Sequence, residues 1–373
     1  MKKAVLIPDS FKGTMTSREV CQIMETSILR HHPACLVDAV PIADGGEGSI
    51  DCFITALGGR RVEVPCQGPF GEAMTGHFGL LDDKTAVVEM AVCSGLPLVE
   101  GRRDPEATTT FGVGQLIVAA AEMGCHTILV ALGGSCTTDG GCGAAAAAGV
   151  RFLDAEGHTF VPTGGTLCRI ADIDISSLSP ALAQVSIVTM CDITNPMHGE
   201  NGAAYVFAPQ KGADAAGVKR LDEGLKHLDG VIRDKLGLAV ADVPGAGAAG
   251  AMGAGMLAFF GSTLRSGIDT VLEITDFERR IADADVIFTG EGRIDSQSVQ
   301  GKALSGIAAA AKKQNKPVIA VVGTRDATAY GLKMAKNLGA QISRCGGLVI
   351  SGLATGIDGM AMRGALSAGK AVV

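Results

Sequence analysis

Carboxylates and cations recur in this chain at one kind of place, the polar, glycine-rich end of an apolar run. Ile128 to Leu132 is apolar without interruption and reads as a strand buried on both faces. It breaks into Gly133-Gly134-Ser135-Cys136-Thr137-Thr138-Asp139-Gly140-Gly141, and Ala144 to Ala148 then reads as a helix. Strand, glycine loop and helix start together can build an anion site. Glycine lets the backbone approach a ligand, and the free N–H groups of the helix start point at it. Gly133, Gly134 and Ser135 are therefore candidate phosphate or substrate contacts. Asp139 is either a ligand of a divalent cation that accompanies the phosphate or a cap on the following helix.

Four more loops follow the same pattern. Ala4 to Ile7 runs into Pro8-Asp9-Ser10-Phe11-Lys12-Gly13, which places Ser10 and Lys12 at the carboxyl end of a strand, where open α/β sheets bind ligands. Lys12 is either a point charge for a phosphate or an exposed loop lysine. Asp38 to Ile42 leads into Asp44-Gly45-Gly46-Glu47-Gly48, a second acidic glycine loop. Val185 to Cys191 ends in Asp192-Ile193-Thr194-Asn195-Pro196, either a functional address or a turn. Ala284 to Thr289 ends in Gly290-Glu291-Gly292-Arg293-Ile294-Asp295, with Gly301-Lys302 beyond. Arg293 can fork onto a carboxylate or phosphate, and Asp295 can serve as base or metal ligand; the alternative is a surface ion pair.

The elements that must position these loops are α/β. Ser17 caps a helix carrying Val20, Ile23, Met24 and Ile28. Arg61 to Ala91 alternates at period two and is punctuated by Pro65, Gly68-Pro69 and Asp82-Asp83, as in an antiparallel meander. Thr108-Thr109-Thr110 caps a helix from about Phe111 to Glu122, Val150 to Leu153 is a strand, and Asp222 to Leu236 is an amphipathic helix. Pro244 to Gly253 is either a phosphate loop or a site of close helix packing. The expected architecture is a parallel-sheet, Rossmann/flavodoxin-like domain (1–60 with 107–148 and 262–373) into which a second, mixed α/β domain is inserted (61–106 with 149–261).

Composition bounds the function. The formal net charge of −7 argues against a general binder of nucleic acid or anionic membrane. No apolar run approaches a membrane span, and the N-terminus lacks the cleavage region of a signal peptide. The 11 cysteines are scattered without a Cys-x-x-Cys pair, as expected of reduced thiols in a cytoplasm.

Taken in order, the loops Pro8–Gly13, Asp44–Gly48, Gly133–Gly141, Cys191–Pro196 and Gly290–Gln297 resemble those of bacterial glycerate kinases of the first type, over residues 1–322. The resemblance implies phosphorylation of D-glycerate that depends on ATP and Mg²⁺, in an active site between two α/β domains. The side chains suit phosphoryl transfer, which needs in-line positioning, a metal on phosphate oxygens and cations on developing charge. Lys12, Arg293 and Lys302 are the cations. Asp192 or Asp295 is the expected base, and Asp44, Glu47 and Asp139 stand near the metal. Ser10, Gly133, Gly134, Ser135, Gly290, Glu291, Gly292 and Lys302 are the expected substrate and phosphate contacts.

The end of the chain departs from this pattern. Gly323-Thr324-Arg325 and Ser351-Gly352-Leu353-Ala354-Thr355-Gly356-Ile357-Asp358 resemble loops of the DNA-processing A protein. Residues 316–373 hold seven Lys/Arg and two Asp/Glu, net +5, against the acidic remainder. The segment covers part of that protein's Rossmann-like domain, so autonomous DNA binding is not expected. Its strand at 318–322 is expected to dock beside 286–289, with the later helices loosely packed.

Overall fold

The computed structural model describes residues 1–10, 15–43, 45–46, 48–291, 303–322, 329–344, 348–350 and 357–369. The chain divides into two compact units. The first comprises Met1–Asp44, Thr55–Leu57 and Ser266–Val373; the second comprises Gly45–Ile54 and Gly58–Arg265.

The first unit is built on a five-stranded, all-parallel sheet. Its strands lie in the order Leu348–Ile350, Val318–Val322, Val286–Glu291, Lys3–Leu6, Leu36–Ala39. The inner runs are apolar because both faces are covered. Helix Ser17–His31 returns the chain from the first strand to Leu36–Ala39 and buries Val20, Cys21 and Ile28. Its cap is Thr16, which forms a capping box with Glu19. Ser17, the expected cap, instead donates its hydroxyl to Pro8 O at 2.7 Å and accepts from Ile42 N at 2.9 Å. It therefore ties two strand-end loops together.

Strand Val318–Val322 runs beside Val286–Glu291 in the register Ile287↔Val318 to Glu291↔Val322, as expected. Leu348–Ile350 extends the sheet by one more strand. The helices Ala329–Arg344 and Ile357–Ser367 cross through two glycines. A Cβ on Gly339 would lie 1.9 Å from Ala361 O, and one on Gly364 would lie 1.8 Å from Lys336 O. Between these two helices the packing is close; the looseness expected of the segment concerned its packing on the sheet.

The second unit holds a six-stranded mixed sheet in the order Thr263–Arg265, Ser186–Met190, Thr127–Ala131, Thr85–Glu89, Ala73–Leu80, Arg60–Gln67. The first four strands are parallel and the last two antiparallel, which is the expected meander. Three short strands, Thr159–Phe160, Arg151–Leu153 and Asp172–Asp174, form a separate sheet. One core lies on the large sheet, around Phe78, Val88, Leu116, Ile128, Val130, Met252 and Met256. A second gathers Phe152, Leu221, Leu225, Leu228 and Phe259. Helix Ala215–Leu236 starts well before the expected Asp222, capped by Asp214 on Gly217 N. Its first residues, Ala215-Ala216-Gly217, carry no apolar periodicity from which to read it.

Several segments sit elsewhere than expected: 45–54, 58–60, 107–148 and the strand Thr263–Arg265, all expected in the first domain, belong to the second unit. The sequence reading puts Thr127–Ala131 in the first domain, but this strand pairs with Thr85–Glu89 and Ser186–Met190 in the second unit. An apolar run marks a strand as buried on both faces and says nothing about which strands flank it.

Helix Phe111–Glu122 crosses helix Cys142–Ala147 at Gly114, where a Cβ would lie 2.2 Å from Ala144 O. Alanine in place of glycine inside a helix ordinarily stabilises by about 1 kcal/mol. Gly114→Ala is expected to destabilise instead, by about 1–3 kcal/mol, because the helices must part. Urea unfolding of the purified variant checks the sign.

Candidate active site

In the first unit the sheet order reverses between Lys3–Leu6 and Val286–Glu291, and the loops leaving these neighbouring strands diverge there. Asp9 N donates to Gly290 O at 2.8 Å, and Ser10 N donates to Asp9 Oδ1 at 2.6 Å. Asp9 is buried and Ser10 half-buried. Ser10 and Gly290 thus lie at the ends of neighbouring strands on one sheet edge. Lys12, Asp44, Glu47, Gly292, Arg293, Asp295 and Lys302 lie outside the described residues, as does the side chain of Glu291.

In the second unit the parallel strands Thr85–Glu89, Thr127–Ala131 and Ser186–Met190 end on one edge. Gly133, Gly134 and Ser135 leave from the middle strand, and Asp192 stands half-buried two residues past the neighbouring one. Gly133 N donates to Gly45 O at 2.9 Å, and a Cβ on Gly133 would lie 2.4 Å from Gly46 Cα. The second acidic loop is therefore laid directly on the first glycine loop. Glu89, at the end of the third strand, accepts from Gly48 N and Ile50 N and so caps helix Ser49–Leu57. Sequence reading missed this carboxylate, because its position at the close of an alternating strand resembles an ordinary solvent-facing residue.

Asp139 is fully buried, and its oxygens are spent inside the fold. Oδ2 accepts from Thr110 N at 2.7 Å, from Thr110 Oγ1 at 2.8 Å and from Gly143 N at 3.2 Å, and Oδ1 accepts from Gly141 N at 3.1 Å. Burial pushes its carboxyl group above the usual carboxylate range, against the pull of these hydrogen bonds. The expected metal role is corrected accordingly. Asp139 is a staple between the starts of helices Phe111–Glu122 and Cys142–Ala147. The anion held by the second helix start is this carboxylate, so those N–H groups are not left for a ligand. Thr110 precedes the first helix, but its hydroxyl caps nothing in that helix and serves Asp139 instead.

The glycine-alanine stretch resolves as close packing. Within Ala248–Phe260, a Cβ on Gly250 would lie 2.1 Å from Thr137 O, and one on Gly255 would lie 2.3 Å from Gly140 O. Ala249 and Ala251 hold positive φ values of 55° and 66°, a left-handed turn that lets the helix start meet the 133–141 loop.

A second residue found only in the structure is Lys211, at the end of the single turn Pro209–Lys211. It is 2 % exposed, and Nζ donates to Ser135 Oγ at 2.8 Å and to Thr137 O at 2.6 Å. Burial pulls its ammonium down to about 8, opposed more weakly by the neighbouring Cys136 and Asp139. Among the described residues no group of three or more His, Cys, Asp or Glu side chains is arranged to hold a metal ion. None of the ten described cysteines is in a disulfide.

A family model described as the glycerate kinase family matches residues 4–344, which extends past the strand at 318–322 where the likeness of the loops ends. The chain is 44 % identical to a glycerate kinase of Halalkalibacterium halodurans over 326 residues, 87 % of this chain and 86 % of that one. It is 45 % identical to a glycerate 2-kinase of Escherichia coli over 324 residues, 86 % of this chain and 85 % of that one. A crystal structure from Salmonella typhimurium LT2, of a protein assigned as glycerate kinase 2, superposes with a TM-score of 0.81 at 42 % identity, covering 87 % of this chain and 88 % of that one.

Two measurements follow from this geometry. Asp139→Asn is expected to lower stability by about 3 kcal/mol, since it sets an amide against N–H donors in a buried site. A metal ligand would lose activity with stability intact, and urea unfolding separates the two. The second concerns pH. Between about 8 and the ordinary 10.5, the unfolded chain holds the Lys211 proton that the folded chain has released. Stability relative to Lys211→Met is therefore expected to rise with pH across that window, by roughly 3 kcal/mol in all, and to be flat below it. Urea titrations at three pH values read the slope.

Proposed function

The chain belongs to the glycerate kinase family and phosphorylates an alcohol group of glycerate, and from that premise we propose a division of labour among its loops. The phosphoryl donor is ATP, the acceptor is D-glycerate, and the reacting atoms meet the edge where Gly133–Ser135 and Asp192 emerge from adjacent parallel strands. That adjacency is the observation on which the reading rests.

Gly134 supplies a backbone N–H and close approach, Gly133, whose N–H is held by Gly45 O, lets the neighbouring turn lie against the loop, and Ser135 supplies a hydroxyl. Asp192 accepts the proton of the attacking substrate hydroxyl. The cations Lys12, Arg293 and Lys302 neutralise phosphate and substrate carboxylate, and Ser10, Gly290, Glu291 and Gly292 line the other contributing loops. Asp295 is the second candidate base. A magnesium ion bound with the nucleotide supplies charge neutralisation on the phosphate oxygens. Asp139 fits poorly as its ligand, because it is fully buried and accepts hydrogen bonds from both helix starts; Asp44 and Glu47 remain the proposed donors. The name of the Escherichia coli relative favours transfer to the 2-hydroxyl.

The likeness of the last residues to the DNA-processing A protein is read as a replacement of sheet-completing elements. Two of its strands complete the five-stranded sheet, which leaves the kinase chemistry in place. With free thiols and no helix among the described residues long and apolar enough to cross a membrane, the proposed compartment is the cytoplasm.

Purified protein with ATP, Mg²⁺ and D-glycerate is expected to release ADP in proportion to glycerate, and phosphorus NMR should show 2-phosphoglycerate. Glycerate-independent ADP release would sink this reading. Asp192→Asn is expected to lower kcat by about 10²–10⁴-fold with an unchanged urea midpoint, the usual contribution of a general base. Near-normal turnover would move that role to Asp295.

A further inference from the structure

Lys211 is an unusual support for a loop. Its ammonium is buried against a hydroxyl and a carbonyl, both neutral. Taking an ammonium out of water among neutral partners is costly, and an apolar side chain of similar length would fill the space without that penalty. Stability alone therefore gives a poor account of a lysine here.

Hydrogen-bond chemistry gives a better one. An ammonium carries three donors and no acceptor, so Ser135 Oγ must act as acceptor toward Lys211. The one hydroxyl proton of Ser135 is then directed to some other acceptor. Among the described residues, the Ser135 side chain bonds to Lys211 alone. Ser135 is 7 % exposed and lies in the glycine loop at the sheet edge. The positive charge behind it also draws electron density from the hydroxyl and strengthens it as a donor.

We propose that Lys211 is a positioning residue for the kinase reaction, acting through Ser135, whose hydroxyl it commits as a donor to an anionic oxygen of the bound ligands. The loop is otherwise fixed. Cys136 N donates to Ser94 O at 2.9 Å, Thr108 Oγ1 donates to Cys136 O at 3.1 Å, and Leu96 N donates to Gly134 O at 2.9 Å. Lys211 thus decides the polarity of one hydroxyl more than the path of the backbone. The anionic oxygen belongs either to a nucleotide phosphate or to the glycerate carboxylate, and the inference rests on the kinase reading.

The experiment is a double-mutant cycle on the full chain: wild type, Lys211→Met, Ser135→Ala and the double variant, with Lys211→Arg as a fifth protein. The kcat and the KM for ATP and for glycerate are measured for each, alongside the urea midpoint. Both single variants are expected to lower kcat/KM by about 10–100-fold and to raise the KM of the same substrate. The double variant should be no more than about threefold worse than the poorer single, since both remove one interaction. Lys211→Arg should recover part of the loss. A raised KM for ATP assigns the oxygen to phosphate, and a raised KM for glycerate assigns it to the carboxylate.

Losses that multiply in the double variant, or a Ser135→Ala protein close to wild type, would overturn the proposal. If wild type shows no glycerate-dependent turnover, the kinase reading itself fails. Calorimetric binding of ATP and of glycerate to the same five proteins then reads the cycle. Coupling in Kd retains the Lys211–Ser135 link, and its absence refutes it.

Discussion

The second unit is organised around one buried carboxylate. Asp139 sits between the starts of two helices and takes four hydrogen bonds from Thr110, Gly141 and Gly143. Each helix start presents unpaired N–H groups that a buried site must satisfy. One aspartate does so for both, and so fixes where the loop from Ser135 to Gly141 begins and ends. Everything laid on that loop inherits its position: Gly250 and Gly255 of the helix behind it, the Gly45–Gly46 turn in front, and Lys211 beneath.

This arrangement explains an ambiguity in phosphate-loop proteins generally. A carboxylate in a glycine loop looks like a metal ligand because metal and phosphate travel together. It looks equally like a cap, because a helix start attracts anions of any kind. Burial decides between them. Asp139 is fully buried and accepts from both helix starts, as a cap does, whereas Asp192 stands half-buried at the next strand end.

What the sequence disclosed was local. Apolar runs gave the strands of both sheets, and period-two alternation gave the antiparallel meander. Thr108-Thr109-Thr110 marked the true start of the helix at Phe111, although Thr110 serves a carboxylate 29 residues on rather than its own helix. Pairing was not local and was not legible: Thr127–Ala131 looks the same whichever sheet receives it. Lys211 gave no signal at all, because its partners lie 76 and 74 residues away and a lysine between Gln210 and Gly212 reads as loop. The stretch from Pro244 to Gly253 was ambiguous for a related reason: glycine leaves room for either a ligand or another backbone, and only the neighbour says which.

The strand Lys3–Leu6 lies inside its sheet, and one of its two partners, Val286–Glu291, is made some 280 residues later. During synthesis the first unit therefore waits with an apolar strand half-paired, while the second unit has nearly all its chain, Gly58–Arg265, in one stretch and can form as it leaves the ribosome. Closing the first sheet is then a contact of very long sequence separation, the slowest kind to form. The sheet of the first unit is thus complete only after Val286–Glu291 is made, although its inner strand Lys3–Leu6 is among the first residues to leave the ribosome.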